Sequence, residues 1–535
     1  MSERTRFEGL LDRYFEGYLK DNPMAASAVG IRDAEGKLGR ANQRSVEREH
    51  KRRLKTLAEL DTINPRELSN DQHLDRLALQ TQLLREVEDH DRGVHRLNPE
   101  APEALMNSLL HELMRDPGDS KRAASNLRSL LKQVPRFLSE SAEVADRPES
   151  VWRKVMEEGC AGAPSLFDAV DTFLQRNEPK RSDANLTRAA GKAITAYRDK
   201  MKKRKLAPAS SFAVGKEILQ RRVRDEIGLD YSLGQLEALA NAEAERIGGL
   251  LKKACSRYGR GKSADAIIAK ARGDWDPGED LLGHYRDETK RVANAFKSAK
   301  AVTFPKSERL EVRLVPDFMR HLFPTAAYSS PGAFEKKQKG TFWVNDLSLV
   351  RDSAKEKLAE RQQHFGVSLT SAHEAYPGHH LQFVTANRHP RRWRRMFAYA
   401  VFYEGWTLWC EQMLVDLKID RSPWTKIQQL HDALWRVHRI LVDLRLQTGR
   451  YAYHQAAAHL EKHLGFTRAR AEAEINWYSM APGIPMSYWL GRLENARLHR
   501  RLVNEQGWSL KKFNDWLLSY GTIPQGWIER YGSFN

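Results

Sequence analysis

Three features of the sequence predict a mainly α-helical fold. Apolar residues recur at helical spacing along most of the chain. Leu10, Leu11, Tyr14, Phe15, Tyr18 and Leu19 follow the i, i+3, i+4 rule until Asp21-Asn22-Pro23 ends the run. Only the region around residues 310–345 alternates with the period of two that marks strands. Hydrophobic residues make up 41% of the 535-residue chain and charged residues 30%, which permits a substantial core and excludes a disordered or collagen-like chain.

The same periodicity predicts helices over about residues 45–60, 72–90, 102–115, 121–140, 183–204 and 214–226. Ser232 begins a long helix with Leu233, Leu236, Leu239 and Ala240 on one face. After a polar break near 259–263, helices resume at about 264–271 and 279–299. Leu310-Glu-Val-Arg-Leu-Val315 and Thr341-Phe-Trp-Val-Asn345 then read as strands, separated by the loop chemistry of Tyr328-Ser-Ser-Pro-Gly-Ala-Phe334. A small antiparallel sheet is expected, either as a structural patch or as an edge for an extended substrate. Helices return after Asp352 and dominate the remainder. The chain is expected to form a helical lobe over 1–300 and a catalytic lobe over 301–535, packed as one continuous unit.

Lys and Arg total 88 against 70 acids, a formal charge of +18. The densest clusters are Lys202-Lys203-Arg204-Lys205 and Arg388-His-Pro-Arg-Arg-Trp-Arg-Arg395, and neither lies in a nucleic-acid-binding module. Both are expected to be solvated faces, the second an exposed turn, and nucleic acid is not an expected partner. Cys160, Cys255 and Cys410 are too few and too scattered for a disulfide framework, which points to a reducing cytoplasm. The opening Met1-Ser-Glu-Arg-Thr-Arg lacks the apolar run of a secretory signal. The most apolar stretch, 396–415, contains Glu404 and Glu411, so no membrane span is expected.

The chemistry concentrates in Ser371-Ala-His-Glu-Ala-Tyr-Pro-Gly-His-His-Leu-Gln382. A His-Glu pair followed by a further His is the core of a zincin, in which two imidazoles bind Zn²⁺ and the Glu polarises a water. The spacing is not His-Glu-x-x-His. On a straight helix His373 and His379 would lie about 120° apart around the axis, and His380 would lie ~10.5 Å further along than His373. Pro377 breaks the helix and Gly378 permits an unusual backbone, so a kinked turn would bring His379 to the ion beside His373, with Glu374 as general base. The alternative that His380 is the ligand stays open. A third ligand is needed, and Glu404 follows eight consecutive apolar residues, 396–403, where an unpaired carboxylate would cost several kcal/mol. Glu411, seven residues on, could hold a histidine ring.

With His373-Glu-Ala-Tyr-Pro-Gly-His-His-Leu-Gln382, the chain carries Tyr403-Glu-Gly-Trp406, Val214-Gly-Lys-Glu217, Gly228-Leu-Asp-Tyr-Ser232 and Gly340-Thr-Phe-Trp-Val-Asn345. It also carries Pro482-Gly483 with Tyr488 and Gly491, and the 7–23 element. In these segments it resembles the bacterial domain of unknown function 885 family, regarded as relatives of zinc metallopeptidases. The resemblance implies a large, two-lobed, helical metallopeptidase-like fold with a deep channel and the small sheet beside it. It implies His373, His379 and Glu404 as zinc ligands, Glu374 as general base, Tyr488 as an oxyanion donor and Arg497 as a substrate-carboxylate clamp. Asn345 and Gln447 complete the implied substrate contacts. Gln447 replaces an expected histidine, and Ile484 an expected glutamine.

The function expected is therefore a zinc-dependent hydrolase, one ion per chain, cleaving peptide or amide bonds in small molecules or short peptides. Mn²⁺, Co²⁺ and Fe²⁺ also suit a His₂-carboxylate site. The alternatives are a metal-dependent enzyme acting on a non-peptide biosynthetic intermediate, suggested by Gln447, and a nucleic-acid-binding protein with a structural metal.

Overall fold

The computed structural model describes residues 2–114, 119–259, 261–316, 320 and 325–534. The chain divides into two compact units, Met1–Phe212 with Gly332–Glu335, and Ala213–Pro331 with Lys336–Asn535. The division at 212, rather than at the expected 300, has a packing cause. The helix Leu233–Cys255 lays Leu236, Ala240 and Ile247 against Leu430, Val437 and Ile440 of the helix Pro423–Gln447, so it belongs to the second unit's core.

The first unit is a helical assembly. Ser2 caps Glu3–Asp21, which buries Phe7, Leu10, Leu11, Tyr14, Phe15 and Leu19. Gln43–Asp61, Asn70–Asp91, Ser120–Val144 and Asp183–Lys203 form where the periodicity places them. Ala101–Leu113 does too, the end of that expected run at residue 115 lying outside the described residues. Ser150–Ala161 and Ala163–Asn177 were not expected. The Gly159-Cys-Ala-Gly-Ala-Pro164 junction interrupts the apolar period there, leaving two stripes each too short to stand out. Glu149 caps the first of them by accepting the Val151 and Trp152 N–H groups.

The second unit holds the sheet. Its strands are β1 (Arg309–Leu314), β2 (Ala326–Ser329) and β3 (Lys339–Val344), in the order β1-β3-β2. β1 and β3 run parallel, with Val312 opposite Phe342, and only β2 is antiparallel to β3. The expected antiparallel pairing of the two alternating segments is thus corrected to a mixed sheet. The connection between them is long enough to carry a third strand, and Ala-Ala-Tyr-Ser is too short to display a period of its own. Phe342 and Val344 pack on Leu281, Tyr285 and Val367, which fixes the sheet beside the helices Leu281–Ser298 and Val367–Glu374.

The closest helix pair is Ala400–Asp416 against Ile484–His499. A Cβ on Gly491 would lie 1.9 Å from the Val401 carbonyl oxygen, and one on Gly405 2.5 Å from the Gly491 carbonyl carbon. The backbones touch because neither glycine has a side chain. The basic turn 388–395 does connect two helices, but it is only partly solvated, with Arg388 and Arg392 exposed. Arg394 is 1% exposed and donates from Nη1 to the Tyr520 carbonyl at 3.0 Å, while Trp393 is buried with it. Among the described residues no helix is long and apolar enough to cross a membrane.

His431 of the Pro423–Gln447 helix reaches Asp265 of the helix Ala264–Gly273 at 3.0 Å. Burial lowers its pKa, but hydrogen bonds to Asp265 and Asp432 outweigh that and raise it to about 9. A histidine held above its ordinary value stabilises the fold fully below about pH 6.5 and loses that contribution as pH rises through about 9. The urea midpoint of the wild-type chain should therefore exceed that of His431→Gln most at mildly acidic pH. The gap should shrink steadily above neutrality, and a gap independent of pH would contradict the ion pair.

Candidate metal centre

The His373 helix, Val367–Glu374, stops at its His-Glu pair, and a new helix, His379–Ala386, begins after four intervening residues. Between them the Tyr376–Pro377 peptide is cis. Gly378 has φ −68° and ψ −136°, so a positive φ is not what selects glycine here. The reason is steric: a Cβ at 378 would lie 1.8 Å from the His373 carbonyl oxygen and 2.4 Å from that of Ala372. Trp406 Nε1 donates to the Pro377 carbonyl at 2.8 Å and ties this turn to the helix Ala400–Asp416, which carries Glu404.

Three ligand atoms converge as a result. His373 Nε2 is 3.8 Å and His379 Nε2 3.7 Å from the same atom, Glu404 Oε2. Donors bound to one ion at ~2.0–2.2 Å in tetrahedral array stand ~3.3–3.5 Å apart, slightly closer than these. Glu404 Oε2 is buried and has no hydrogen-bond partner, and neither has His379 Nδ1. Glu411 Oε1 sits 2.7 Å from His373 Nδ1, which orients the ring with Nε2 toward Glu404. Burial lowers His373 to about 3, and burial with the charge of His373 holds His379 well below the ordinary histidine range. Two neutral rings thus turn their Nε2 atoms toward one buried carboxyl oxygen that no other group satisfies. A divalent cation fits that donor set.

The carboxyls around it are strongly perturbed. Burial and then the charges of Glu404 and Glu411 raise Glu374 to about 8, with Arg436 opposing. Burial raises Glu404 to about 7 against the pull of Tyr488, Arg439 and Arg436, and raises Glu411 to about 8 against Arg436. His380 takes no part in the triad. It is fully buried, with Nε2 2.6 Å from Glu308 and Nδ1 3.0 Å from the Tyr328 hydroxyl on β2. This contact also sets the sheet beside the centre.

A family model described as bacterial protein of unknown function, DUF885, matches residues 23–530. The chain belongs to the DUF885 family. Among solved structures it is similar to a candidate lipoprotein of unknown function from Shewanella oneidensis, with TM-score 0.78 and 18% identity over 98% of this chain and 99% of that one. It is likewise similar to a candidate lipoprotein from Colwellia psychrerythraea, with TM-score 0.81 and 18% identity over 99% of each chain. At such identity the likeness concerns the fold alone. No curated protein matches.

In this DUF885 chain the structure brings His373, His379, Glu404, Glu374, Glu411 and Tyr488 together, but not the expected substrate contacts. Arg497 pairs with Glu494 at 2.8 Å and with Glu529 at 2.9 Å, nine residues beyond Tyr488, ~13 Å along one helix. Gln447 is wholly buried, accepting from the Val214 N–H at 3.3 Å and donating to the Tyr478 carbonyl at 2.8 Å, so it ties backbone segments together. Asn345, also wholly buried, donates to the Arg320 carbonyl at 2.7 Å just past the end of β3. The residues missed are Arg436 and Arg439. Arg439 is 6% exposed, bonds Tyr478 and Glu474, and lies 4.4 Å from the Tyr488 ring centre. Two arginines three apart, with Ala433, Trp435, Ile440 and Val442 beside them at helical spacing, were the available signal.

Gly378→Ala should weaken binding of a divalent ion although it removes no ligand, because its methyl group displaces the His373 carbonyl. His373→Ala, His379→Ala and Glu404→Ala should each abolish the binding event at this centre, and Glu374→Gln should not. Isothermal titration of chelator-treated protein with Zn²⁺ measures all five, and wild-type affinity in Gly378→Ala would contradict the steric argument.

Proposed function

We propose that this DUF885 protein is a metal-dependent hydrolase that cleaves peptide or amide bonds in small substrates, with Zn²⁺ the ion of choice. One observation carries the reading: the unpartnered Glu404 Oε2 faces two histidine nitrogens, with the carboxyl of Glu374 adjoining. A structural metal site has no use for a perturbed carboxyl at its edge. The finer reading of the fold, as a two-lobed metallopeptidase-like enzyme, belongs to the same proposal. So does a cytoplasmic location, with which three buried free thiols agree.

A divalent ion bound by His373, His379 and Glu404 would supply Lewis acidity toward a carbonyl oxygen and a water of lowered pKa. The chain's own groups divide the proton work. Glu374, with its affinity for protons raised to near neutrality, accepts one from water at its carboxylate oxygen and returns it to the leaving nitrogen. Tyr488, whose phenol is held protonated by burial and by the Glu404 charge, donates a hydrogen bond to the developing oxyanion. Arg436 and Arg439, whose charges reach Glu404, give the site a positive wall that favours an anionic substrate group and replaces Arg497 in that role. Gln447, fully engaged with the backbone, gives no support to a non-peptide substrate.

A screen of short peptides and N-acyl amino acids, beside acylated metabolites, should find a chelator-sensitive turnover restored by Zn²⁺. On the substrate it identifies, Glu374→Gln should lose ~10²–10⁴ in kcat while keeping its ion. Tyr488→Phe should lose ~10²–10³ in kcat with little change in KM. Hydrolysis that survives Glu374→Gln at the wild-type rate would sink the assignment.

A further inference from the structure

The first unit contains a second group of metal-ligating side chains, far from the His-Glu motif in sequence. His50 lies in the helix Gln43–Asp61, and His90 and Asp91 form the last turn of Asn70–Asp91. Gly93, at φ +71°, then reverses the chain into the turn Val94–Leu97 and returns His95 over His90. The imidazoles stack in a row, His50 on His90 at 3.6 Å and His90 on His95 at 4.9 Å between ring centres. One carboxylate oxygen serves two of them. Asp91 Oδ1 is 3.5 Å from His90 Nδ1 and 3.9 Å from His50 Nε2.

What distinguishes this row from an ordinary packed histidine is its unmet hydrogen bonding. His50 Nδ1, both nitrogens of His90, and His95 Nδ1 are buried and have no partner. A neutral imidazole offers one N–H donor and one lone-pair acceptor, and a protonated one two donors, so each such nitrogen is a desolvated polar group with nothing in return. We propose that His50, His90 and Asp91, backed by the stacked ring of His95, form a binding site for a borderline transition-metal ion such as Zn²⁺ or Ni²⁺. Imidazole with one carboxylate is the donor set those ions select, and it is a poor one for Ca²⁺ or Mg²⁺. As packed, the His50 and His90 rings are nearly parallel, 11° apart. The broad, soft torsion at the imidazole lets both turn toward Asp91 without moving either helix. The ion would staple Gln43–Asp61 to Asn70–Asp91 and stabilise this unit by mass action.

The test counts ions on the full-length chain by inductively coupled plasma mass spectrometry after Zn²⁺ saturation and desalting. The wild-type chain should hold two ions. His373→Ala, in which the first unit is untouched, should keep one, and its melting temperature should still rise on adding Zn²⁺. His50→Asn/His90→Gln should lose one ion and retain the other at the His373 centre. With Co²⁺ in the His373→Ala protein, a visible absorption band of tetrahedral or five-coordinate type should appear. A His373→Ala chain that retains no ion and shows no Zn²⁺-induced stabilisation would overturn the second site, whatever becomes of hydrolysis at the first.

Discussion

The separation of two helices governs the candidate centre. Ala400–Asp416 carries Glu404 and Ile484–His499 carries Tyr488, and they meet backbone to backbone at Gly405 and Gly491. A methyl group on either glycine would overlap main-chain atoms that cannot rotate away, and the helices would have to part. Glu404 and Gly405 are consecutive, and Tyr488 and Gly491 are one turn apart, so the contact point and these two side chains share the same stretch of helix. The start of the second helix is fixed as well. Asp443, wholly buried, accepts from the Gly483 N–H at 3.0 Å, just before Ile484 begins that helix. Its distance from Glu404 is thus a property of the scaffold, and the Glu-Gly and Tyr-x-x-Gly pairs are halves of one packing solution.

Electrostatics constrains the centre from the other side. Glu374, Glu404 and Glu411 are all raised toward or beyond neutrality by burial, and each also feels another's charge or that of Arg436. Three carboxyls so placed are costly unless cations face them. Arg436 and Arg439 supply part of the compensation, and both act on Glu404. They leave Glu404 Oε2 itself without a partner, so the remaining deficit is localised on one atom between two imidazoles. That localisation separates a cation site from a diffuse buried ion-pair network, in which Arg439 would have bonded Glu404 directly instead of Glu474.

Much of the fold was legible in the sequence because helix periodicity is local. The helices over Gln43–Asp61, Asn70–Asp91 and Leu233–Cys255 announce themselves by their stripes, and the Ser69 and Ser232 capping boxes mark two of their starts. What escaped is what depends on distant partners. The parallel pairing of β1 with β3 requires β2 to cover the other edge of β3, and β2 is four residues long. The boundary near 212 depends on which core the Leu233–Cys255 helix joins, and its own apolar stripe would suit either. Arg394 looked solvated among its neighbours, yet it is drawn into the core because the Tyr520 carbonyl, 126 residues away, accepts its hydrogen bond.

The candidate site divides along the same line. His373, His379 and Glu404 could be read from local rules, since a proline-glycine break between histidines and a carboxylate after an apolar run are both anomalies that need a cause. Glu411 was legible as a helix neighbour of Glu404. Roles set by remote contacts were not. Nothing near His380 foretells that Glu308 and Tyr328 hold both of its nitrogens, while His379 is the ring that faces Glu404. Nothing near Arg497 foretells that Glu529 will neutralise it, while Arg439 stays beside Tyr488. A buried charge therefore reveals its job only through the atom that compensates it. For His373 that atom belongs to Glu411, which stands out as an acid after an apolar run, whereas for the arginines it belongs to glutamates in polar helices that give no such sign.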